Sequence, residues 1–357
     1  MNNGFFHRVH EQTPTRMWIN NVTREQAREA IRAGARGCTQ NPSYVWKMMN
    51  NAQERPYVMD KLDRLLVEES DDTMVLIKLQ RELVSEIAAI FMDVYEQSGG
   101  IDGYVSIQGD PFNETENGIY NFAHYNTELY PNMTAKIPVV SEALPAIRAL
   151  VAERIPVNCT EIMAISQALD VAEIYSEIGS KMTNPAPLFY SVITGIFDEY
   201  LKQYVKDNAI DITSDVLWQA GIAVAKKIYW VIKGHNYKCR FIGGGARGLH
   251  HFTEMIGADC IVTINWSGTA DKLIELDPPV LQRFFMPVPY SVEDELMAKL
   301  DEFWKAYLIN GIQQEAYSEY GPVVLFRSSF ERDWNNALRE ISERRKSLNN
   351  QDSQSHT

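Results

Sequence analysis

The sequence predicts a (β/α)8 barrel, and three observations lead to this fold class. Short apolar segments alternate with longer segments of helical periodicity, a pattern typical of a parallel sheet covered by helices. Eight strand-like segments can be distinguished, which is the number that closes such a barrel. The chain has 357 residues, enough for one large domain of about 250 residues with appendages.

The predicted strands are short, and several end in a polar residue or in proline. They cover residues 17–20, 37–39, 104–108, 134–138, 157–160, 188–192, 239–243 and 260–264. The predicted helices of the barrel include residues 23–33, 71–97, 141–153, 166–178 and 213–232. Thr23 has a side chain suited to a helix N-cap, and Gly34 has the backbone freedom expected just after a helix.

Three parts of the chain are expected to differ in structure. A catalytic barrel domain is predicted over residues 1–275, because two prolines at positions 278 and 279 then break the alternating pattern. Residues 276–346 are predicted as a C-terminal helical extension, with helices at 292–308 and 330–346. Residues 347–357 are polar and lack periodicity, which predicts a disordered tail.

Composition and charge exclude several classes of partner. The net charge of -13 and the pI of about 5.1 repel nucleic acid and anionic membranes, so neither is an expected partner. The four cysteines form no Cys-x-x-Cys pair, which argues against a zinc cluster and for reduced cytoplasmic thiols. Neither a secretory signal nor a bilayer-spanning apolar stretch is visible. The sequence therefore predicts a cytoplasmic protein without metal or other cofactor, and it leaves homo-oligomer formation open.

Polar side chains are predicted where the strands end at their carboxyl termini, the side on which barrel enzymes carry their active sites. They are Asn20, Asn41, Gln108, Lys136, Asn158, Thr160 and, after the seventh strand, Arg247. Lys136 is the candidate nucleophile, because an amine among amides and hydroxyls can stay neutral and attack a carbonyl to form an imine. Residues 133–140 alone favour a simpler interpretation, a lysine whose stem packs on apolar neighbours while its ammonium reaches water.

Several short motifs resemble those of one enzyme family. In chain order they are Trp18-Ile19-Asn20-Asn21, Thr39-Gln40-Asn41-Pro42-Ser43, Val105-Ser106-Ile107-Gln108-Gly109-Asp110-Pro111, Ala135-Lys136-Ile137-Pro138, Val157-Asn158-Cys159-Thr160 and Ile242-Gly243-Gly244-Gly245-Ala246-Arg247. Their order and approximate spacing are similar to those of the transaldolase family, including its fructose-6-phosphate-aldolase-like members, over most of residues 16–264. The resemblance implies a class I aldolase that forms a Schiff base between Lys136 and a small ketose. It also implies carbohydrate metabolism, such as the pentose phosphate pathway, and a sugar or sugar phosphate as the ligand.

The resemblance further implies roles for the other residues at the strand ends. Gln108 and Thr160 are implied to position the catalytic water or substrate hydroxyls, and Asn20 to contact a hydroxyl. Asn41 and Asn158 are implied to support the lysine and the polar groups of the substrate.

Two departures from the family pattern concern acid–base catalysis. Family members usually end the first strand in an aspartate that handles a substrate proton, and an amide such as Asn20 cannot take that proton. The third strand usually presents a glutamate, whereas this chain has Gln108, as the aldolase-like members tend to have. Glu161 is one candidate for the missing acid. A charge pairing under a helix N-terminus is at least as good an interpretation of Glu161.

A third departure concerns the end of the site that binds the substrate phosphate. Family members commonly use an arginine after the sixth strand, where this chain has Ile196 a few residues beyond Ser191. They also use a serine and a basic residue after the seventh strand, where it has Gly245 and Arg247. Ser191 and Arg247 are therefore the implied substrate-binding residues at this end. The pattern predicts a weaker phosphate site or a substrate with a different tail.

Two main functions are consistent with these patterns. The first is a transaldolase-like enzyme that cleaves off or transfers a dihydroxyacetone unit through an imine at Lys136. The alternative is a catalytically diminished relative that binds a sugar or acts as an assembly partner. An imine that leads to isomerisation or dehydration is a third. His250 and His251, at the start of a helix, are expected to be solvated.

Overall fold

The chain folds into a closed parallel barrel. The computed structural model describes residues 4–355, and the side-chain surroundings of residues 4–350. In this part of the chain eight strands pair in sequence order, and the first also pairs with the last. They are β1 (Arg16–Asn20), β2 (Gly37–Thr39), β3 (Tyr104–Gln108), β4 (Met133–Pro138), β5 (Val157–Ile162), β6 (Leu188–Ile193), β7 (Arg240–Gly244) and β8 (Ile261–Asn265). The predicted (β/α)8 fold is confirmed.

Helices alternate with the strands and cover the outside of the barrel. They are α1 (Phe5–Gln12), α2 (Arg24–Ala33), α3 (Tyr44–Met49), α4 (Arg55–Glu68), α5 (Asp72–Gln97), α6 (Glu116–Thr127), α7 (Leu144–Ala152), α8 (Ile165–Gly179), α9 (Thr194–Asp207), α10 (Ser214–Leu217), α11 (Ala220–Gly234), α12 (His250–Thr253), α13 (Asp271–Leu276), α14 (Tyr290–Lys299), α15 (Asp301–Tyr307) and α16 (Gly321–Ser355). Among residues 4–355, no helix has both the length and the apolar composition needed to cross a bilayer.

Local sequence signals explain where several helices begin and end. The Thr23 side chain accepts a hydrogen bond from the Gln26 backbone, and the Gln26 side chain accepts one from the Thr23 backbone, both at 3.1 Å. This reciprocal pair satisfies two donors that the first turn of α2 leaves open. Gly34 follows α2 with a φ of 112°, a left-handed conformation that glycine adopts without steric cost. Both boundaries were predicted from the sequence.

The barrel interior is apolar at its N-terminal end. A compact cluster there contains Trp18, Tyr104, Phe189, Ile242 and Ile261. Side chains alternate along a strand, so the residues two positions further along these strands face the same interior nearer its C-terminal end. Gly37 makes room for the largest member, since a Cβ there would lie 2.3 Å from Cε2 of Trp18. The cluster closes the bottom of the barrel, and polar side chains occupy the top.

The C-terminal extension lies across that polar end. α16 packs against α3, α5 and α9 and reaches β5. Phe330 and Trp334 of α16 are buried almost completely, and Arg344 forms two hydrogen bonds of 2.6 Å with Asp63 of α4. α16 is longer than the helix predicted at 330–346, and it continues into residues 347–355, which were not predicted as helical.

Candidate active site

A pocket of about 200 Å³ opens at the C-terminal ends of the strands. The predicted site residues that line it are Asn20, Asn41, Lys136, Thr160, Ser191 and Arg247. A smaller cavity of about 50 Å³ adjoins it, and both Gln108 and Lys136 line this second space. Residues of α16, among them Phe330 and Asp333, form part of the wall of the larger pocket. Tertiary structure thus brings residues from many strands around one lysine.

Lys136 occupies the centre of this arrangement. It lies on β4, paired in register with Gln108 of β3 and Asn158 of β5, and its exposed fraction is 7%. Burial lowers the pKa of Lys136 to about 8, Glu161 acts in the opposite direction, and the charge of Lys47 lowers the pKa further. With such a pKa, about a tenth of the side chains carry a neutral amine at pH 7. A neutral amine in a polar pocket can attack a carbonyl carbon.

Asn158 and Ser191 form a buried hydrogen-bonded chain beside the lysine. The Ser191 hydroxyl donates to Oδ1 of Asn158 at 2.7 Å, and Nδ2 of Asn158 donates to the Ser106 hydroxyl at 3.1 Å. All three residues are nearly inaccessible to solvent. Because buried polar groups with satisfied partners are held in fixed orientations, this chain gives the floor of the pocket a defined polarity.

Asn20 belongs to a neutral network at the end of β1. Its Nδ2 donates to Oδ1 of Asn265 at 3.0 Å, and its Oδ1 accepts from the Thr39 hydroxyl at 3.1 Å. The Thr39 hydroxyl also lies 2.8 Å from the Thr263 hydroxyl. Within residues 4–350, the side-chain partners that hold Asn20 are therefore an amide and a hydroxyl. The network orients the Asn20 amide towards a ligand but contains no group that would accept a proton at neutral pH.

Asn41 shapes the loop that follows β2. Its Oδ1 accepts hydrogen bonds from Nδ2 of Asn21 at 3.0 Å and from the Ser43 backbone at 3.1 Å. Its own backbone donates to Oδ1 of Asn21 at 3.1 Å. Asn41 thereby fixes the part of the pocket wall from which α3 begins.

Glu161 departs from the regular geometry of β5. Its φ of 61° is left-handed, and the pairing of β5 with β6 shifts register between Cys159 and Ile162. The fully buried carboxylate accepts a hydrogen bond of 2.9 Å from Nε2 of Gln108. Burial raises the pKa of Glu161, whereas the bond from Gln108 and the charge of Lys136 oppose this increase. The Glu161 carboxylate therefore binds Gln108 of β3, and the sequence did not predict this partner.

Positive side chains from two different segments reach the outer end of the pocket. Arg247 follows β7 and donates from Nε to Glu199 at 2.8 Å, and Lys47 of α3 lines the same space. Desolvation lowers the pKa of Lys47, Asp333 raises it, and Arg247 lowers it. Ile196, by contrast, is buried with an exposed fraction of 3% and does not line this pocket. The position where the family commonly has a second arginine thus belongs to the core.

The prediction that His251 is solvated is wrong. His251 has an exposed fraction of 2%, because its Nε2 lies 2.9 Å from the buried carboxylate of Asp198 on α9. Its Nδ1 accepts backbone hydrogen bonds from Arg247 at 3.3 Å and Gly248 at 3.2 Å. The pair therefore holds the loop that carries Arg247.

Asp198, His250 and His251 are also close enough to share a metal ion, with potential ligand atoms within 4.8 Å of one another. The two backbone donors at Nδ1 of His251, however, place its proton on Nε2, facing Asp198. A metal would have to displace that proton and the bond. The residues therefore fit a hydrogen-bonded pair better than a metal site.

Sequence reasoning missed several pocket residues. Lys47 follows the predicted Asn41 motif by about one helical turn and could have been found from that spacing. Asn265 ends the last strand in the same way as Asn20 ends the first, which is also a usable signal. Phe330 and Asp333 have no such signal, because only the packing of α16 across the barrel brings them to the pocket.

Sequence comparison relates the chain to one family of known proteins. Residues 17–318 match the family model described as Transaldolase/Fructose-6-phosphate aldolase. The chain is 28% identical over 240 residues to the transaldolase of Trichodesmium erythraeum (strain IMS101), covering 60% of this chain and 61% of that protein. It is 28% identical over 233 residues to the transaldolase of Mycobacterium ulcerans (strain Agy99) and 27% identical over 232 residues to that of Mycobacterium tuberculosis (strain ATCC 25618 / H37Rv).

Each mycobacterial alignment covers 60% of both proteins, so the chain spans about 60% of the length of the curated relatives that it matches. The family match is longer, and it extends from the first strand of the barrel to the segment before α16. The chain therefore belongs to the transaldolase/fructose-6-phosphate aldolase family.

Proposed function

We propose that this protein is a transaldolase-like enzyme that forms a Schiff base between Lys136 and a small ketose, and then cleaves off or transfers a dihydroxyacetone unit. The observation that carries the proposal is the state of Lys136. Lys136 is buried and lines both cavities, and its pKa is lowered to about 8. Burial disfavours the ammonium form of a lysine, so a position among the amides and hydroxyls of this pocket favours a neutral, nucleophilic amine.

The proposed reaction begins when the neutral amine of Lys136 attacks the ketose carbonyl. A carbon–nitrogen bond forms, the carbonyl oxygen takes up a proton and later leaves as water, and a protonated imine results. The hydroxyl on the second carbon from the imine carbon then loses its proton. The bond between this carbon and the carbon next to the imine carbon breaks, and an aldehyde leaves. The bonding electrons move to the imine nitrogen, which gives an enamine. Attack of the enamine on a second aldehyde gives a new imine, and hydrolysis of this imine completes transfer. Protonation of the enamine followed by hydrolysis completes cleavage instead.

The remaining pocket residues are assigned to the substrate. Thr160 and Gln108 are proposed to position water or hydroxyls next to the imine, and Asn20 to bind a hydroxyl. Asn158 and Ser191, which are hydrogen-bonded to each other, are proposed to bind polar groups on the floor of the pocket.

A negatively charged tail of the substrate is proposed to lie between Lys47 and Arg247. Both side chains line the outer end of the pocket, and a guanidinium can bind an anion through two parallel hydrogen bonds. The Arg247 guanidinium is already bound to Glu199 through Nε, and Asp333 lies near Lys47. Competition from these carboxylates supports the expectation of weaker phosphate binding than in relatives with two arginines.

Arg247→Ala is expected to weaken binding of a phosphorylated ketose about ten- to a hundredfold relative to its unphosphorylated counterpart. A hydrogen bond to a charged group contributes roughly 1.5–3 kcal/mol, which corresponds to this range of affinity. The measurement is the ratio of the two dissociation constants, for example for fructose 6-phosphate and fructose.

Arg283→Ala is a matched control for Arg247→Ala. Arg283 has a side-chain exposure of 46% and pairs with Glu254, while Arg247 has 45% and pairs with Glu199. Arg283 does not line the pocket, so its removal should leave the ratio unchanged. An unchanged ratio in Arg247→Ala as well would show that Arg247 does not bind the anionic tail.

A catalytically diminished sugar-binding relative is the second candidate, and one observation favours it. Asn20 is held by Asn265 and Thr39 in a neutral network, so the end of β1 offers no proton acceptor for the cleavage step. In that case the pocket would bind a sugar without efficient cleavage.

Trapping of the imine separates the two candidates. Sodium borohydride added with dihydroxyacetone should reduce the imine and leave the ligand's mass on Lys136, as located by peptide mass spectrometry. Glycerol, which has the same carbon skeleton without a carbonyl, should leave no mass. In heat-unfolded protein the adduct should form at Lys136 no more than at the other lysines, because the Lys136 amine then has an ordinary pKa. Absence of an adduct at Lys136 with every ketose tested would contradict the Schiff-base proposal and favour sugar binding.

A further inference from the structure

We propose that Glu161 is the carboxyl group that gives a proton to the departing ketose oxygen when the imine at Lys136 forms, and takes it back when the imine is hydrolysed. This inference rests on the proposed Schiff-base function and adds the acid–base residue of the imine-forming step. It is carried by the conformation of Glu161, its partner and the unused polar atoms around it.

The backbone of β5 is distorted at Glu161, and the side chain of this residue reaches Gln108. Regular alternation would send the side chains of Asn158 and Thr160 into the barrel and those of Cys159 and Glu161 towards the surrounding helices. The left-handed φ of 61° at Glu161 and the register shift before Ile162 break this alternation. Such a conformation is strained in a residue other than glycine, and strain of this kind is concentrated at functional sites. The result is a carboxylate bound to Gln108, an interior residue of β3.

Unused polar atoms surround this carboxylate. Among the residues that the structure describes, Oε2 of Glu161, Oε1 of Gln108 and Oγ1 of Thr160 are buried without a hydrogen-bond partner. Buried polar atoms are nearly always paired, so an unpaired group calls for a water or a ligand. Gln108 pairs in register with Lys136, and Thr160 lines the same pocket as Lys136. Gln108 and Thr160 thus belong to the cavities that Lys136 lines, and Glu161 adjoins them through its hydrogen bond to Gln108.

The surroundings favour the protonated form of Glu161. Burial is the largest influence and raises its pKa, while Lys136 on β4 and Arg327 on α16 lower it and Glu331 on α16 raises it. Glu114, in the segment before α6, responds to the same neighbours, and its pKa is raised by burial and by the charge of Glu161. Burial disfavours the charged form of a carboxyl group, so a share of the Glu161 side chains retains a proton near neutral pH. Glu161 can therefore act as an acid there.

The proposed step balances in protons and electrons. Attack of the neutral Lys136 amine gives a neutral carbinolamine after one proton moves from nitrogen to oxygen. The Glu161 carboxyl then donates its proton to the carbinolamine hydroxyl, the carbon–oxygen bond breaks, and water leaves. The nitrogen lone pair forms the carbon–nitrogen double bond, so a protonated imine faces a Glu161 carboxylate. In hydrolysis, water attacks the imine carbon and returns its proton to Glu161.

Other carboxylates near the pocket are less suited to this step. Asp333 lies on the wall formed by α16 and is bound to Arg332 at 3.1 Å. Asp110 accepts a hydrogen bond from the Phe112 backbone in its own loop, and Glu114 lies in the segment before α6 and not on a barrel strand. Glu161, by contrast, influences the pKa of Lys136 more strongly than any other charged side chain.

The test compares imine formation in the wild type and in Glu161→Gln. Rapid mixing with dihydroxyacetone, followed by borohydride quenching at increasing times, gives the rate at which the Lys136 adduct appears. Loss of a general acid typically costs about 10²–10⁴-fold in rate, so Glu161→Gln should slow the adduct by this factor. Binding of glycerol, which cannot form an imine, should change less than threefold if the pocket keeps its shape.

Exchanging the two partners tests the chemical role directly. The double variant Glu161→Gln with Gln108→Glu keeps one amide and one carboxyl in the hydrogen-bonded pair and returns a proton donor to the site. The adduct should appear at least tenfold faster in this double variant than in Glu161→Gln. Glu254→Gln is the control for removal of a partly buried carboxylate, because Glu254 pairs with Lys226 and Arg283 outside the pocket. The adduct should form in Glu254→Gln at the wild-type rate.

The possible failures are distinguishable. If the wild type itself forms no adduct at Lys136, the proposed function is wrong. If the wild type forms the adduct and Glu161→Gln forms it within about threefold of the same rate, only the role of Glu161 is overturned. If Glu161→Gln is slow but the folded double variant stays equally slow, Glu161 is a structural residue and the inference is also overturned.

Discussion

Lys136→Arg is expected to abolish both imine formation and carbon–carbon bond cleavage while leaving the barrel folded. A guanidinium remains protonated in proteins and therefore cannot attack a carbonyl carbon. Loss of the nucleophile from a covalent mechanism lowers the rate by a factor on the order of 10⁶. The measurements are the release of aldehyde from a ketose and the borohydride-trapped adduct, with circular dichroism to confirm the fold.

Lys226→Arg provides the matched control for this substitution. Lys226 has the same exposed fraction as Lys136, 7%, and desolvation also lowers its pKa. Its amine, however, donates to the backbone carbonyls of Arg283 and Met286 outside the pocket. Lys226→Arg should retain full activity. Activity within a few-fold of wild type in Lys136→Arg would remove Lys136 from the role of nucleophile.

Asn20→Asp is expected to increase the rate of carbon–carbon bond cleavage of an ordinary ketose phosphate, by up to about 10²–10⁴-fold. A positioned acid–base group typically contributes a factor of this size, and an aspartate could accept the hydroxyl proton that the Asn20 amide cannot. The Thr39 hydroxyl, which now donates to Asn20, would remain a suitable donor to a carboxylate. Steady-state cleavage rates with several ketoses are the measurement.

Asn265→Asp tests whether the position of the new carboxylate matters. Asn265 lies across the hydrogen bond from Asn20, so this variant adds the same charge to the same network from β8. It should not reproduce the gain. If Asn20→Asp leaves the cleavage rate of every ketose unchanged within assay error, Asn20 does not lie at the proton-transfer position. A decrease with every ketose would show that the amide is tuned to a different substrate.

Much of the fold could be predicted from the sequence because its signals are local. The alternation of apolar segments and helical periodicity located the strands within one or two residues, as for β2 and β3, whose predicted bounds match the observed ones. Thr23 and Gly34 marked both ends of α2 for the same reason, since capping depends on neighbouring residues. The predicted helix at 213–232 is divided into α10 and α11, and that at 292–308 into α14 and α15.

The polar character of the site was also visible in the sequence. In a parallel barrel all strands end on the same side, so residues at strand ends meet whatever their separation along the chain. This rule brought Asn20, Lys136, Thr160 and Arg247 to one pocket in the structure. Their roles in catalysis remain proposals that the variants above address.

By itself, the sequence determined the closed barrel, the side on which its polar residues gather and the amino acids available there, because these follow from local periodicity and strand direction. Only the tertiary structure decided the electrostatic state of those residues. Burial of Lys136 and the nearby charges set its pKa, and the distorted end of β5 placed Glu161 against Gln108. Asp198, which is far from His251 in the chain, binds that histidine and is buried with it. α16 supplies part of the pocket wall. These properties depend on distances between segments remote in sequence, which local patterns do not encode.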